Sequence, residues 1–525
     1  MSSTNIQNFP GDVQIQGTTF IKANSNNNNI AIGTDAGVGI QGENAIALGK
    51  TAGNSVQGSN SISIGTEAGR YNQNNNATAM GIYAGSNSQG PDTVAVGYGA
   101  GRGAQAANAT AVGVNAGNAT QGVGATAVGR GAGQLSQNAY SVSLGYNTGN
   151  QSQGASSVAI GVNTGLTAQG DESIAIGPNT GYTSQGASSV AIGKAAAQTN
   201  QGTQSVAVGY LAAQNAQGAN SVAIGNQTGK NDQGASATAV GVLAGLTSQG
   251  ASAVAVGHVA GVTAQGDYAV AIGGSAGNAN QNNYATAVGS TAGHTAQGAN
   301  ATAVGRLAAE VAQAAGATAM GLFAGRTAQG DSATAVGRSA GYNQQGANSV
   351  AIGKQAGSAN QNNNATAVGI NAGYNAQGGS ATAIGNAAGQ VAQGANGVAV
   401  GVNAGFNTQG VSAVAVGVNA GNTSQGANGV AVGDGSGSAS QGAQSVAVGY
   451  LAGRSDQGAG SVAIGNTCAR TNQGAGCVAV GTLAGFNDQD PDAVAIGNNA
   501  GCGYQGISSV AIGQLAGCGD QADYS

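Results

Sequence analysis

A glycine that follows a short apolar triplet recurs at every sixteenth position along almost the whole chain. It occupies Gly33, Gly49, Gly65 and continues with the same period up to Gly513, which makes 31 repeats without an insertion or a deletion. We call this residue the anchor glycine and count the other positions of a repeat from it. Such a fixed period is typical of proteins in which each repeat is one structural unit that is stable only when stacked on its neighbours.

The residues before the anchor glycine have the pattern of a short β-strand. The residue immediately before it is always apolar, and the residue three before it is Val, Ile or Thr, usually with Ala between them. This alternation of β-branched and small residues is typical of a strand and too short for a helix. We expect the Val, Ile and Thr side chains to point into the fold and the Ala side chains to point outwards.

Two further positions predict corners. Four residues after the anchor there is Gly or Ala in every repeat, and eight residues after it there is Gln in every repeat, usually followed by Gly. A coil would therefore have two short strands and two corners. A Gln at the same place in each coil predicts a structural ladder of amide side chains without chemistry of its own. Its members include Gln153, Gln169, Gln185, Gln201 and Gln217.

Together these patterns predict an all-β fold, a parallel β-solenoid or β-roll of about 31 coils, each with one sixteen-residue repeat and two short strands. The solenoid domain would cover residues 29–525 and include a short C-terminal end. Residues 1–28 break the pattern and predict an N-terminal cap or attachment segment, because the end of a solenoid otherwise exposes an unpaired strand edge.

The composition excludes several classes of function. Only 6% of the residues are charged and 98 are Gly, unlike an ordinary globular enzyme. A ladder repeats one residue, whereas catalysis needs unlike groups that converge, so we expect no enzyme and no cofactor. The two His and the Cys spacings do not predict a metal site. No basic cluster points to nucleic acid, and no apolar run predicts membrane insertion.

The Ala between the larger residues of the strand varies little among the 31 repeats. If it pointed outwards and met water, polar residues should replace it in some of the copies. We therefore expect a homo-oligomer whose chains pack along an Ala face. The residues of that face include Ala159, Ala175, Ala191, Ala207 and Ala223.

The charged residues are separated by sign. Of the 13 Lys and Arg residues, all except Lys22 lie one or five residues after an anchor, and most Asp and Glu lie seven to eleven residues after one. A coil would therefore have a basic edge and an acidic edge, and this separation could align chains side by side.

The four cysteines lie near the end of the chain. Cys502 and Cys518 are one repeat apart, so they would be stacked in neighbouring coils. A disulfide between them, a disulfide between chains, and two small residues at corner positions are all compatible with this spacing. Cys468 and Cys477 complete the set.

The recurring Ser-Val-Ala-Ile-Gly, as in 157–161 and 189–193, resembles the head repeat of YadA-like trimeric autotransporter adhesins. It is also similar to repeats in fibre proteins of large DNA viruses, phages and some bacteria. The resemblance covers residues 29–524 and implies a trimer of parallel β-rolls. The repeat is longer than the usual one of that family by the x-Gln-Gly element, and residues 1–8 do not resemble a signal peptide.

We therefore expect a structural fibre or filament protein, virion-associated or self-assembling, located on a virion surface or in an extracellular filament. Its partner would be itself, as a homotrimer that could also stack end to end. One alternative is an adhesin that binds a host receptor through aromatic corners: Tyr182, Tyr342, Phe406 and Phe486. A minor alternative is an ice-binding solenoid, disfavoured because Thr is expected to point inwards.

Overall fold

The structure is a computed structural model that describes residues 13–15, 18–24 and 27–525. For residues 13–15 and 18–24 it describes only the backbone. It divides into two units, Met1–Val259 and Ala260–Ser525. Each unit is a parallel β-solenoid, and together they contain about 30 turns. Each strand pairs with its equivalent in the next repeat, as Val158 does with Ile174. The predicted fold class is therefore confirmed, and the described residues contain no helix.

The strands of the first sheet occupy the three residues before each anchor glycine. In the first unit they run from Asn29–Ile32 to Val254–Val256, and in the second from Val270–Ile272 to Val510–Ile512. Three of them are longer than three residues: Asn29–Ile32, Val142–Tyr146 and Val158–Val162. The pairing is parallel and in register, so equivalent side chains of successive coils lie beside one another.

The strands of the second sheet end at the Gln eight residues after the anchor. They have two residues from Ile40–Gln41 to Ser136–Gln137 and three residues from Thr167–Gln169 to Thr471–Gln473. In the remaining coils the Gln alone forms a β-bridge. These bridging residues are Gln73, Gln153, Gln489, Gln505 and Gln521.

Two antiparallel strands, Val13–Ile15 and Thr18–Asn24, precede the first coil. Thr18–Asn24 pairs antiparallel with Asn29–Ile32 and so covers the edge of the first coil. Of the predicted cap, residues 1–12, 16–17 and 25–26 lie outside the described part of the chain. The predicted boundary at residue 28 stays a prediction.

Backbone hydrogen bonds between neighbouring coils hold the stack together, including at the corners. Thr286 N donates to Ala301 O at 2.8 Å, and Gly289 N donates to Ile272 O at 2.8 Å. The anchor Gly289 has a φ of +125°, and a Cβ atom there would lie 2.8 Å from the carbonyl carbon of Gly305. Glycine is required at this position because the backbones of stacked corners approach so closely.

The side chains of the first strand alternate in the sense opposite to that predicted. In Val190–Ile192, Ala191 has no exposed surface, whereas Val190 is half-buried and Ile192 is 37% exposed. The prediction that Val, Ile and Thr point inwards is therefore wrong. The expected Ala oligomer face is wrong as well, since all of its residues lie inside the coil with 0% exposure: Ala159, Ala175, Ala191, Ala207 and Ala223.

The interior of a coil is too narrow for larger aliphatic side chains. One coil of the second unit encloses Ala285, Ala287, Ala292 and Gln297, each with 0% exposure. A Cβ atom on Gly293 would lie 3.1 Å from the Cβ of Ala287 and 2.7 Å from the Oε1 of Gln297. Protein interiors are close-packed, so Ala fills this space and the larger residues of the strand must point outwards.

We expect Ala191→Leu to destabilise the surrounding coils much more than Val190→Leu does. Leu at the buried position overpacks the coil interior, which costs about 1 to 3 kcal/mol or more. Leu at the outward position changes stability by roughly 0.5 kcal/mol or less. The midpoint of urea unfolding, followed by circular dichroism, measures both effects. Equal shifts for the two variants would contradict the observed direction of the side chains.

Candidate functional site

The Gln eight residues after the anchor is buried in every coil from Gln57 to Gln505, with at most 4% exposure. In Gln345, Nε2 lies 2.8 Å from Thr334 O and 3.4 Å from Ser349 O, and it also donates to Gln361 Oε1 at 3.2 Å. Its own Oε1 accepts from Gln329 Nε2 at 3.1 Å. The amide of Gln345 therefore ties the second sheet to the first and one coil to the next.

The amide row consists of several continuous runs. In the first unit the side-chain bonds connect Gln41 to Gln57, Gln73 to Gln137 and Gln201 to Gln249. In the second unit they connect Gln265 to Gln441 and Gln473 to Gln521. A row of neutral amides offers no acid, base or nucleophile, so its role in the fold is structural.

The five Gln residues selected from the sequence lie partly at an interruption of this row. All are buried, but among them only Gln201 and Gln217 are joined through their side chains, at 3.1 Å. Gln153 Oε1 instead accepts from Ser143 Oγ at 2.7 Å. Gln169 and Gln185 donate to backbone oxygens at 2.9 and 2.8 Å, and their Oε1 atoms accept no hydrogen bond. The predicted ladder is therefore continuous only over parts of each unit.

We expect Gln345→Glu to destabilise the protein by several kcal/mol at neutral pH and the adjacent Gln344→Glu to have little effect. A carboxylate at position 345 is buried and cannot donate to Thr334 O or Ser349 O, whereas residue 344 is exposed. Below about pH 4, protonation restores a donor and reduces the difference. The midpoint temperature of thermal unfolding, measured for both variants as a function of pH, gives this difference in stability. Equal stability of the two variants at neutral pH would refute the structural role of the row.

The cysteines fall into two pairs. Cys502 and Cys518 form a disulfide between neighbouring coils, with their Cα atoms 4.7 Å apart. Cys468 and Cys477 are buried free thiols that occupy positions held by small residues in other coils. Burial raises the pKa of Cys468 to about 12 and also raises the pKa of Cys477.

We expect neither Cys468 nor Cys477 to react with a maleimide in the folded protein, and both to react in denaturant. The thiolate is the reactive form, and burial suppresses both its formation and its access to the reagent. Mass spectrometry after labelling without a reductant gives the result, with Gln344→Cys as the exposed control. Labelling of either native thiol at the rate of the control would contradict the buried placement.

Residues on the outer side of the first sheet form a repeated surface along each unit. We call the residues three and one before each anchor glycine the outward face. All of them are Val, Ile, Leu, Met or Thr, and none is charged. Examples of their exposure are 41% for Ile224, 44% for Met320 and 40% for Ile352.

The outward face is larger than the apolar patches of ordinary monomers. The first unit has 15 coils and the second has 16, and each coil contributes two side chains that are partly exposed. Each unit therefore presents on the order of 1,000 Å² of mostly apolar surface, whereas monomeric proteins rarely expose more than about 600 Å² in one patch. This surface was not predicted from the sequence, because its residues were expected to lie in the interior.

No group of three His, Cys, Asp or Glu side chains in the described part of the chain is placed to hold a metal ion. Among the same residues, no helix has the length and hydropathy needed to span a membrane. A comparison with protein-family models finds no match, and a comparison with curated proteins finds none either.

Proposed function

We propose that the chain is a structural, non-catalytic protein that assembles with copies of itself through the outward face, as the subunit of a fibre or filament on a virion or outside the cell. The observation that supports this proposal is the outward face, which is uncharged in every coil and partly exposed in the single chain. Surfaces of this kind mark sites of protein association.

The size of the face fits a stable assembly. If two copies cover this face along one unit, roughly 2,000 Å² is buried in total, which is within the range of obligate homodimers. The side chains are β-branched or aliphatic and lie in register, so little conformational entropy is lost when they are covered. Three copies is the number we propose, and it rests on the resemblance of the repeat to YadA-like heads.

We expect the full chain to sediment as a multimer and a variant with Val206→Lys and Val446→Lys to sediment as a single chain. Each substitution places a charge on the outward face, one in each unit, and burying an unpaired charge opposes association. The control carries Asn200→Lys and Ser440→Lys, which add the same charge on the exposed side of the second sheet.

The readouts are sedimentation equilibrium and circular dichroism. All three proteins should retain β-structure, and only the outward-face variant should lose its multimeric mass. A wild-type chain with the mass of one copy over the whole concentration range would refute the proposed assembly, and negative-stain microscopy shows whether the multimers form longer filaments.

Ice binding is a second candidate because one observation favours it. Thr286, Thr302, Thr318 and Thr334 lie in successive coils and are half-buried on the outward face. Ice binding was disfavoured because Thr was expected to point inwards, and that expectation is wrong. Covering this face with other copies excludes ice, so thermal hysteresis of the wild type discriminates between the two functions.

The aromatic corner residues expose less surface for binding a host receptor than the adhesin hypothesis expected. Tyr182, Phe406 and Phe486 are half-buried, and Tyr342 packs against Phe323 and Arg326.

A further inference from the structure

Corners of opposite charge border the outward face on its two sides. The corner after the strand carries cations one residue past the anchor, and we call these residues the basic edge: Lys50, Arg130, Lys194, Arg306, Arg338 and Lys354. The corner before the strand carries acids ten or eleven residues past the preceding anchor, and we call these residues the acidic edge: Glu43, Asp92, Asp171, Glu172, Asp267, Asp331, Asp492 and Asp523. All fourteen side chains are exposed.

The separation of sign is almost complete. No Lys or Arg occupies a position of the acidic edge, and Asp434 is the one acid at a position of the basic edge. Two more acids, Asp35 and Glu67, lie one residue further along the basic corner, and Glu67 is paired with Arg70 at 2.9 Å. Tolerance of charge at corners explains the exposure of these residues but not the separation of their signs.

In two coils a residue of the acidic edge and a residue of the basic edge flank the same strand. Glu43 and Lys50 flank Ile46–Leu48 in the first unit, and Asp331 and Arg338 flank Thr334–Val336 in the second. The three-residue strand lies between the two charges of each pair, so the charges lie on opposite sides of the outward face.

We propose that the two edges orient the copies of this chain in parallel when they associate. This inference rests on the proposed function, since it needs copies that meet at the outward face. Rotation about an axis parallel to the direction of coil stacking brings the basic edge of one copy beside the acidic edge of the next, coil for coil, for two copies or for three. Rotation by 180° about an axis that lies in the plane of the face and crosses the stacking direction gives antiparallel copies instead. It places basic edge beside basic edge and acidic edge beside acidic edge.

The distances involved allow these charges to act. Packed sheets lie about 10 Å apart, so facing edges are within about one Debye length at 0.1 M salt. A single exposed ion pair contributes little, but the edges recur along both units. Complementary charges at the rim of an interface fix orientation more than affinity. The apolar face supplies the affinity, and the edges select between parallel and antiparallel copies.

Spin labels on the full chain test the orientation. Thr34→Cys and Asn226→Cys place labels at exposed positions of an early and a late coil of the first unit, and labelling without a reductant leaves the disulfide intact. Parallel copies give short distances in each singly labelled sample. An associated protein without a short distance in either sample would overturn the proposal while leaving self-association intact. A wild type that stays a single chain refutes the proposed function itself.

Charge reversal tests whether the charges of the two edges act between copies. Glu43→Lys with Asp331→Lys makes both edges basic in those two coils, and we expect association at low salt to weaken about tenfold, with a smaller change at high salt. Adding Lys50→Glu and Arg338→Glu exchanges the two edges, restores the complementarity of parallel copies, and should return the affinity to within about threefold of wild type. Failure of the exchanged variant to recover, with unchanged circular dichroism, would overturn the role of the edges.

Discussion

The width of the coil interior determines where the other side chains lie. A short coil with two glycine corners brings its two sheets so close that the enclosed space holds alanine, serine and the amide of one glutamine, as around Gln297. Valine and isoleucine of the same strand must then point away from the interior. The closeness of the sheets also places the Gln amide within hydrogen-bonding distance of the opposite strand, as Gln345 is from Thr334 O.

This interior gives an unusual distribution of stabilising interactions. Buried alanines remove little apolar area from water for each coil, so hydrophobic burial inside one copy is small compared with that in an ordinary core. Backbone hydrogen bonds between coils and the amides of the Gln row supply the specific contacts in its place. Since every coil makes these contacts with the next, stability in each unit arises from neighbouring coils rather than from one central core.

Much of the fold could be predicted from the sequence, because the unbroken period of the anchor glycine defines the coils, and Val158 and Ile174 pair as that period requires. The direction of the side chains could not be predicted, because an alternating strand has two faces and its sequence pattern is the same whichever face lies inside. Larger apolar residues usually lie in the interior, but here the smaller Ala191 is buried and Val190 points outwards. The break in the amide row at Gln153 depends on Ser143, a contact between strands that spacing alone does not reveal.

The inverted strand connects the fold to the proposed assembly. A chain that buried its valines inside each coil would present alanine and water-facing corners, and it would gain little by association. Here the coil interior excludes the larger side chains, so the apolar area that stabilises most domains lies on the surface of a single copy, where the proposed assembly would bury it. The corners are positions where charge is tolerated, and they border that surface on both sides. The narrow interior therefore leads both to the surface through which we propose that copies associate and to the location of the charges that would orient them.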